Sequence, residues 1–150
     1  MRLSGARRVA IGRSARRGVA ALIGALGLAA PVAQAAVEDA AFDALELPTG
    51  QELELREIVR DHEAGLVRLR IVAPRIAAEA EDRIDPDGAL EDMKVICDEY
   101  GLELMRHEGV ERLVISMSAE PLEFGATAPD VTQYFEAFRA GRAVCLWEEF

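Results

Sequence analysis

The run Gln51-Glu52-Leu53-Glu54-Leu55-Arg56-Glu57-Ile58-Val59-Arg60, the link Asp61-His62-Glu63-Ala64-Gly65 and the answering run Leu66-Val67-Arg68-Leu69-Arg70-Ile71-Val72 decide the fold. In the first run Leu53, Leu55 and Val59 share one parity, and Glu52, Glu54, Arg56 and Arg60 share the other. In the last, Val67, Leu69 and Ile71 alternate with Arg68 and Arg70. Successive side chains of a strand point to opposite faces, so each run reads as a half-buried strand and the polar link as a turn. The result is a β-hairpin with an apolar inner face that the rest of the chain must cover.

Working toward the C-terminus, Ala73 to Ile84 is irregular and polar, and Pro74 blocks continuation of the strand. A helix then starts: Asp85 is placed as N-cap, Pro86 suits the first helical position, and Asp87, Glu91 and Asp92 favour the positive end of the macrodipole. Leu90, Met93, Ile96, Cys97 and Tyr100 form one apolar face by their three- and four-residue spacing. Gly101 reads as a left-handed C-cap, with Leu102 placed for the hydrophobic contact that accompanies such caps. Beyond it, Leu102 to Met105 reads as a short strand and Arg112 to Ser118 as a longer one, with Leu113, Ile115 and Met117 on one face. Pro121 to Asp130 is a loop broken by Gly125 and Pro129, and Thr132 to Arg139 and Arg142 to Phe150 form a second hairpin through Ala140-Gly141. Ala143, Cys145 and Trp147 share a face of the last strand, with Trp147 as a core anchor. Hairpin, helix, strand, hairpin predicts an α+β fold: a mainly antiparallel sheet of four to five strands with one helix packed on one face.

Working toward the N-terminus, Arg2, Arg7, Arg8, Arg13, Arg16 and Arg17 precede an uncharged run from Val19 to Ala30, followed by Pro31 and by Ala33-Gln34-Ala35. This is the layout of a cleavable signal peptide over residues 1–35, cut before Ala36, which places the rest in the periplasm or outside the cell. An uncleaved anchor competes with it, but the apolar run falls short of the roughly 20 residues a helix needs to span a bilayer. Arg7-Arg8 and Arg16-Arg17 raise twin-arginine export; Gly18-Val19-Ala20 after the second pair lacks the usual Phe-Leu, so the general secretory route fits better. Residues 36–50 read as a flexible lead-in with room for a helical turn between Glu38 and Leu45, and residues 51–150 as one small domain.

The leader holds six of the seventeen basic residues and none of the 27 acids, so cleavage leaves a net charge of about −16. Phosphate binding needs a cationic face, which removes nucleic acid from the expected partners. No transmembrane segment is expected in the mature chain. Cys97 and Cys145 are the two cysteines, and in an oxidising compartment an even count reads as one disulfide, the alternative being two independent buried thiols. A bond between them requires the helix to lie over the C-terminal strand.

Several patterns invite chemistry. Asp85-Pro86-Asp87-Gly88 matches the third to sixth positions of an EF-hand loop, but the first and twelfth positions are Arg83 and Lys94, so no metal or other cofactor is expected. His62 and His107 have no partner at helical spacing, and Ser116 and Ser118 lack a nucleophile turn, so no residue is assigned as catalytic. Arg56, Arg60, Arg68 and Arg70 gather on the outward parity of the first hairpin as an anion or partner patch, or as ion pairs with the interleaved Glu52 and Glu54. Tyr134, Phe135, Phe138, Trp147 and Phe150 crowd the final hairpin as a partner surface, or as core and dimer packing.

The segments Leu47-Pro48-Thr49-Gly50, the Cys97 helix, Phe124-Gly125, Ala128-Pro129-Asp130-Val131-Thr132-Gln133-Tyr134-Phe135-Glu136-Ala137-Phe138 and Cys145-Leu146-Trp147-Glu148-Glu149-Phe150 resemble an uncharacterised family of short exported bacterial proteins, a domain of unknown function. The resemblance covers most of the mature chain, implies no activity, and supports the two cysteines as a unit. Two functions are compatible with these features. One is a binding or interaction module that meets a periplasmic protein through the final hairpin and the Pro121 to Asp130 loop. The other is a small periplasmic hydrolase or ligand-processing enzyme, which requires His62 or His107 within reach of Ser116, Ser118 or a buried carboxylate.

Overall fold

The two alternating runs form β1 (Glu54–Asp61) and β2 (Leu66–Val72), an antiparallel hairpin, in the computed structural model, which describes residues 40–149. The expected signal peptide and Phe150 lie outside these residues. Leu55 pairs with Ile71 and Ile58 with Leu69, and the register shifts between Leu55 and Glu57. The extra residue, Arg56, makes a β-bulge that inverts the parity of the remainder of β1. Ile58 and Arg60 therefore share the face of Leu69 and Val67, and Val59 passes to the face of Arg68, contrary to the unbroken alternation expected from the sequence.

The helix starts as expected. Asp85 Oδ1 accepts the Gly88 N–H at 2.9 Å, and Pro86 opens α1 (Pro86–Ile96). It does not stop at Gly101. A π-helical turn over Cys97–Gly101, in which the Leu102 N–H donates to the Cys97 carbonyl, leads directly into α2 (Leu102–Glu108). Residues expected as a short strand are thus helical, and Leu102, Leu104 and Met105 are buried. Gly101 has an ordinary helical φ of −64°; a Cβ there would collide with the Leu113 side chain, so the missing side chain permits close approach of helix to sheet. The left-handed cap is Gly109, with φ 68°.

β3 (Arg112–Ser118) pairs with β2 in parallel, because the helix carries the chain back across the sheet before β3 begins. β4 (Gln133–Ala140) runs antiparallel to β3, and β5 (Cys145–Glu148) antiparallel to β4, so the spatial order β1-β2-β3-β4-β5 repeats the sequence order. The expected α+β class holds: a five-stranded, mostly antiparallel sheet with a helical layer on one face. The last link is longer than two residues. Ala140 pairs with Cys145, leaving residues 141–144 as the turn, with the Gly141 N–H donating to the Val144 carbonyl at 3.1 Å. Ala143 is accordingly in the turn rather than on a strand face.

The core lies between helix and sheet: Val67, Leu69, Ile71, Leu113, Ile115, Met117 and Phe138 meet Ala89, Met93, Ile96, Tyr100 and Met105. Two ties hold its margins. The Cys97–Cys145 disulfide, with Cα atoms 6.0 Å apart and 48 residues of separation, joins the π turn to β5. Beside it Asp98 accepts the Cys145 N–H at 2.6 Å. At the other margin, part of the expected flexible lead-in is packed down. Residues 40–43 are helical, Phe42 is buried edge-on against Tyr100 at 5.5 Å, and fully buried Asp92 accepts hydrogen bonds from the Thr49 N–H, the Thr49 hydroxyl and Gln51 Nε2. No helix among the described residues is long and apolar enough to cross a membrane.

Candidate functional site

The face of the sheet away from the helix is set by strand parity. Its rungs are Glu57, Arg70, Ser116 and Phe135; then Val59, Arg68, Val114 and Ala137; then Glu54, Val72, Ser118 and Gln133. The loop between β3 and β4 folds over this face, and floor and loop enclose a groove of about 230 Å³. Arg56, Arg68, Arg70, Val114, Ser116 and Phe135 belong to its floor and rim, and Leu122, Glu123 and Phe124 to its roof.

Arg70 fastens the roof. Its Nη1 donates to Glu57 Oε2 at 2.6 Å, its Nη2 donates to the Leu122 carbonyl, and its guanidinium lies 5.5 Å from the centroid of the Phe124 ring. Arg56 pairs with Glu54 at 3.1 Å across solvent-exposed side chains. Arg68, half-buried between them, has no carboxylate partner among the described residues, and the same holds for hydrogen-bond partners of the Ser116 hydroxyl and the Gln133 amide. Ser118 is committed, donating to the Glu120 carbonyl at 2.7 Å.

Three of the four patch arginines therefore meet in one place, together with Phe135 and the Pro121 to Asp130 loop. Arg60 does not join them. The bulge turns it to the helical side, where its Nε donates to Glu108 Oε1 at 2.8 Å. The aromatic group also divides. Phe135 is 55% exposed in the groove, whereas Phe138 is in the core and Tyr134 is half-buried on the helical side. Trp147, expected as a core anchor, is 51% exposed, two residues beyond the buried Cys145 that the disulfide holds to the π turn; its indole N–H donates to Glu136 Oε2 at 2.6 Å.

The histidines converge elsewhere. His62 Nε2 and His107 Nδ1 stand 3.7 and 3.4 Å from the carboxylate of Glu108, whose side chain is 9% exposed. The hydrogen bond from Arg60, opposed by burial and assisted by His107, holds the Glu108 carboxyl below the usual carboxylate range. Of the contacts expected of a hydrolase, a histidine beside a largely buried carboxylate is present at Glu108, whereas Ser116 and Ser118 occupy the opposite face of the sheet and no histidine–serine pair is formed. No group of three or more metal-binding side chains is assembled among the described residues.

The sequence contains the arginines, Phe135 and the loop as separate features. What it does not announce is the folding of the loop onto the arginine face, although Arg56-Glu57 followed by Ile58-Val59 breaks strict alternation and marks the bulge. No curated protein and no solved structure shows significant similarity to the chain. A family model matches residues 25–150, nearly the whole chain, and by that match the protein belongs to the family of unknown function DUF6497.

Proposed function

We propose that this protein is an exported, disulfide-stapled interaction module that meets a protein partner through the groove on the open face of its sheet. The observation that carries the reading is the convergence of Arg56, Arg68 and Arg70, exposed Phe135 and the loop bearing Phe124 on one concave surface. An exposed aromatic beside an incompletely paired cation is the composition of a recognition surface. Export is supported by the arginine-rich leader pattern and by the disulfide, which persists in oxidising compartments.

A photo-crosslinking residue placed at Phe124 or Phe135 in the exported protein should yield a discrete partner adduct, and one at Glu91 on the exposed side of α1 should not. Equal adducts at all three positions, or none at the groove, would sink the reading. Export is checked on the same material. Its intact mass should correspond to a chain starting at Ala36 with no thiol alkylated before reduction, and a full-length mass with two alkylated thiols would contradict it.

A further inference from the structure

We infer that the groove binds an apolar group bearing a single carboxylate, with Arg68 and Ser116 holding the carboxylate. The inference rests on the interaction reading above and names the chemistry that the site selects. Arg68 is the reason. The chain carries 27 acids against 17 basic residues, yet among the described residues none pairs with this half-buried guanidinium. Leaving a cation unpaired in a partly desolvated position is costly, and an anion supplied from outside removes the cost.

The other two arginines limit the charge of that anion. Arg70 is already held by Glu57, the Leu122 carbonyl and the Phe124 ring, and Arg56 faces Glu54. Glu123 at the roof adds a negative group that a dianion such as phosphate would meet unfavourably. One free guanidinium matches one carboxylate, in the planar two-pronged geometry that arginine favours. Ser116 sits one rung along from Arg68, opposite Arg70, and its hydroxyl is free to donate to the second oxygen.

The walls define the rest of the ligand. Val114 on the floor, Phe135 at the side, and Leu122 and Phe124 above are apolar. A volume of about 230 Å³ lies below the roughly 300 Å³ at which drug-sized pockets begin, so the apolar group is of side-chain size. A peptide ending in an apolar residue with a free α-carboxylate and a small free carboxylic acid share this chemistry.

The test uses the oxidised mature protein labelled with ¹⁵N. 3-Phenylpropionate should shift the Arg68 Nε–H and Ser116 amide signals saturably, while the neutral alcohol 3-phenylpropanol leaves them in place. Arg68→Gln should weaken the acid by roughly tenfold to a hundredfold, the loss expected for a charge-assisted pair, and Ser116→Ala by less. A dispersed amide spectrum verifies that each variant is folded. An acetylated tripeptide ending in phenylalanine, offered as the free acid and as the amide, separates the two sources. If the peptide acid binds more tightly than phenylpropionate and the amide does not bind, the ligand is a chain end, as the interaction reading requires; if only the small acid binds, the carboxylate site stands and the protein-partner reading falls. Equal binding of acid and alcohol, unchanged affinity in Arg68→Gln, or absence of binding to every carboxylate would overturn the inference. A groove-specific crosslink with no carboxylate binding would remove this inference alone, whereas loss of the crosslink would remove the interaction reading itself.

Discussion

Asp92 has no exposed surface, and its two carboxylate oxygens receive three donors from residues 49–51, so one side chain fastens the start of the domain to the helix. Gln51 turns its amide nitrogen toward that carboxylate, which leaves Gln51 Oε1 buried without a partner. Asp92→Ala orphans all three donors and should lower the unfolding free energy by about 3 kcal/mol, read from chemical denaturation. Asp92→Asn should cost distinctly less, because Gln51 can rotate its amide and offer the idle oxygen to the new amide group. Equal losses for the two variants would remove this account of the node. Gly101→Ala tests close packing instead. The added methyl meets the Leu113 side chain inside the core, and a loss of about 1–3 kcal/mol is expected; at a left-handed C-cap the penalty would instead be the backbone strain of L-alanine, which the φ of −64° at Gly101 excludes. The identity of Gly101 was legible in the sequence, but its purpose was not: a glycine after an apolar helical face reads as a terminator unless the partner across the interface is known.

Among the elements, the helix beginning was legible because capping is local chemistry, settled by Asp85, Pro86 and Gly88 within four positions. The extension through the π turn was not, since burial of Leu102, Leu104 and Met105 against the sheet overrides the local signal. The bulge at Arg56 had the same effect on the first strand, sending Arg60 to Glu108 and away from the other arginines. Arg60 lowers the Glu108 carboxyl, so the stability it contributes is present above the usual carboxylate range and is lost as pH falls through the lowered value. In Arg60→Gln the carboxyl loses its largest lowering partner and keeps only His107 against burial, so it should titrate at higher pH and its part of the acid destabilisation should shrink. A carbon-detected titration of Glu108 alongside urea melts at several pH values checks both. An unmoved titration would show that Arg60 is not the cause.

At the scale of the molecule, strand parity and helix amphipathicity were enough to forecast a sheet covered on one face, because burial of one apolar face is the dominant demand on a chain this short. The groove is not legible in the sequence, as it depends on where a loop lacking any periodic pattern comes to rest, and Arg70 anchoring that loop is a contact between residues far apart in sequence. The disulfide closes a separation of 48 residues, for which the loss of loop entropy in the unfolded chain amounts to about 4 kcal/mol. Replacing both cysteines by alanine should lower the unfolding free energy by an amount of that order, with the spectrum of the native fold retained under stabilising conditions. A loss below about 1 kcal/mol would mean that the packing of the π turn on β5, and not the covalent tie, secures this margin.

The sheet is laid down in the order in which the chain is made. A polypeptide emerging N-terminus first finds each new strand's neighbour already in place, since β3 docks on β2, β4 on β3 and β5 on β4. The thiol of Cys97 must wait through that whole sequence, for its partner stands on the final strand. Closure of the disulfide therefore needs the last strand: a chain interrupted before β5 would keep Cys97 as an unpaired thiol.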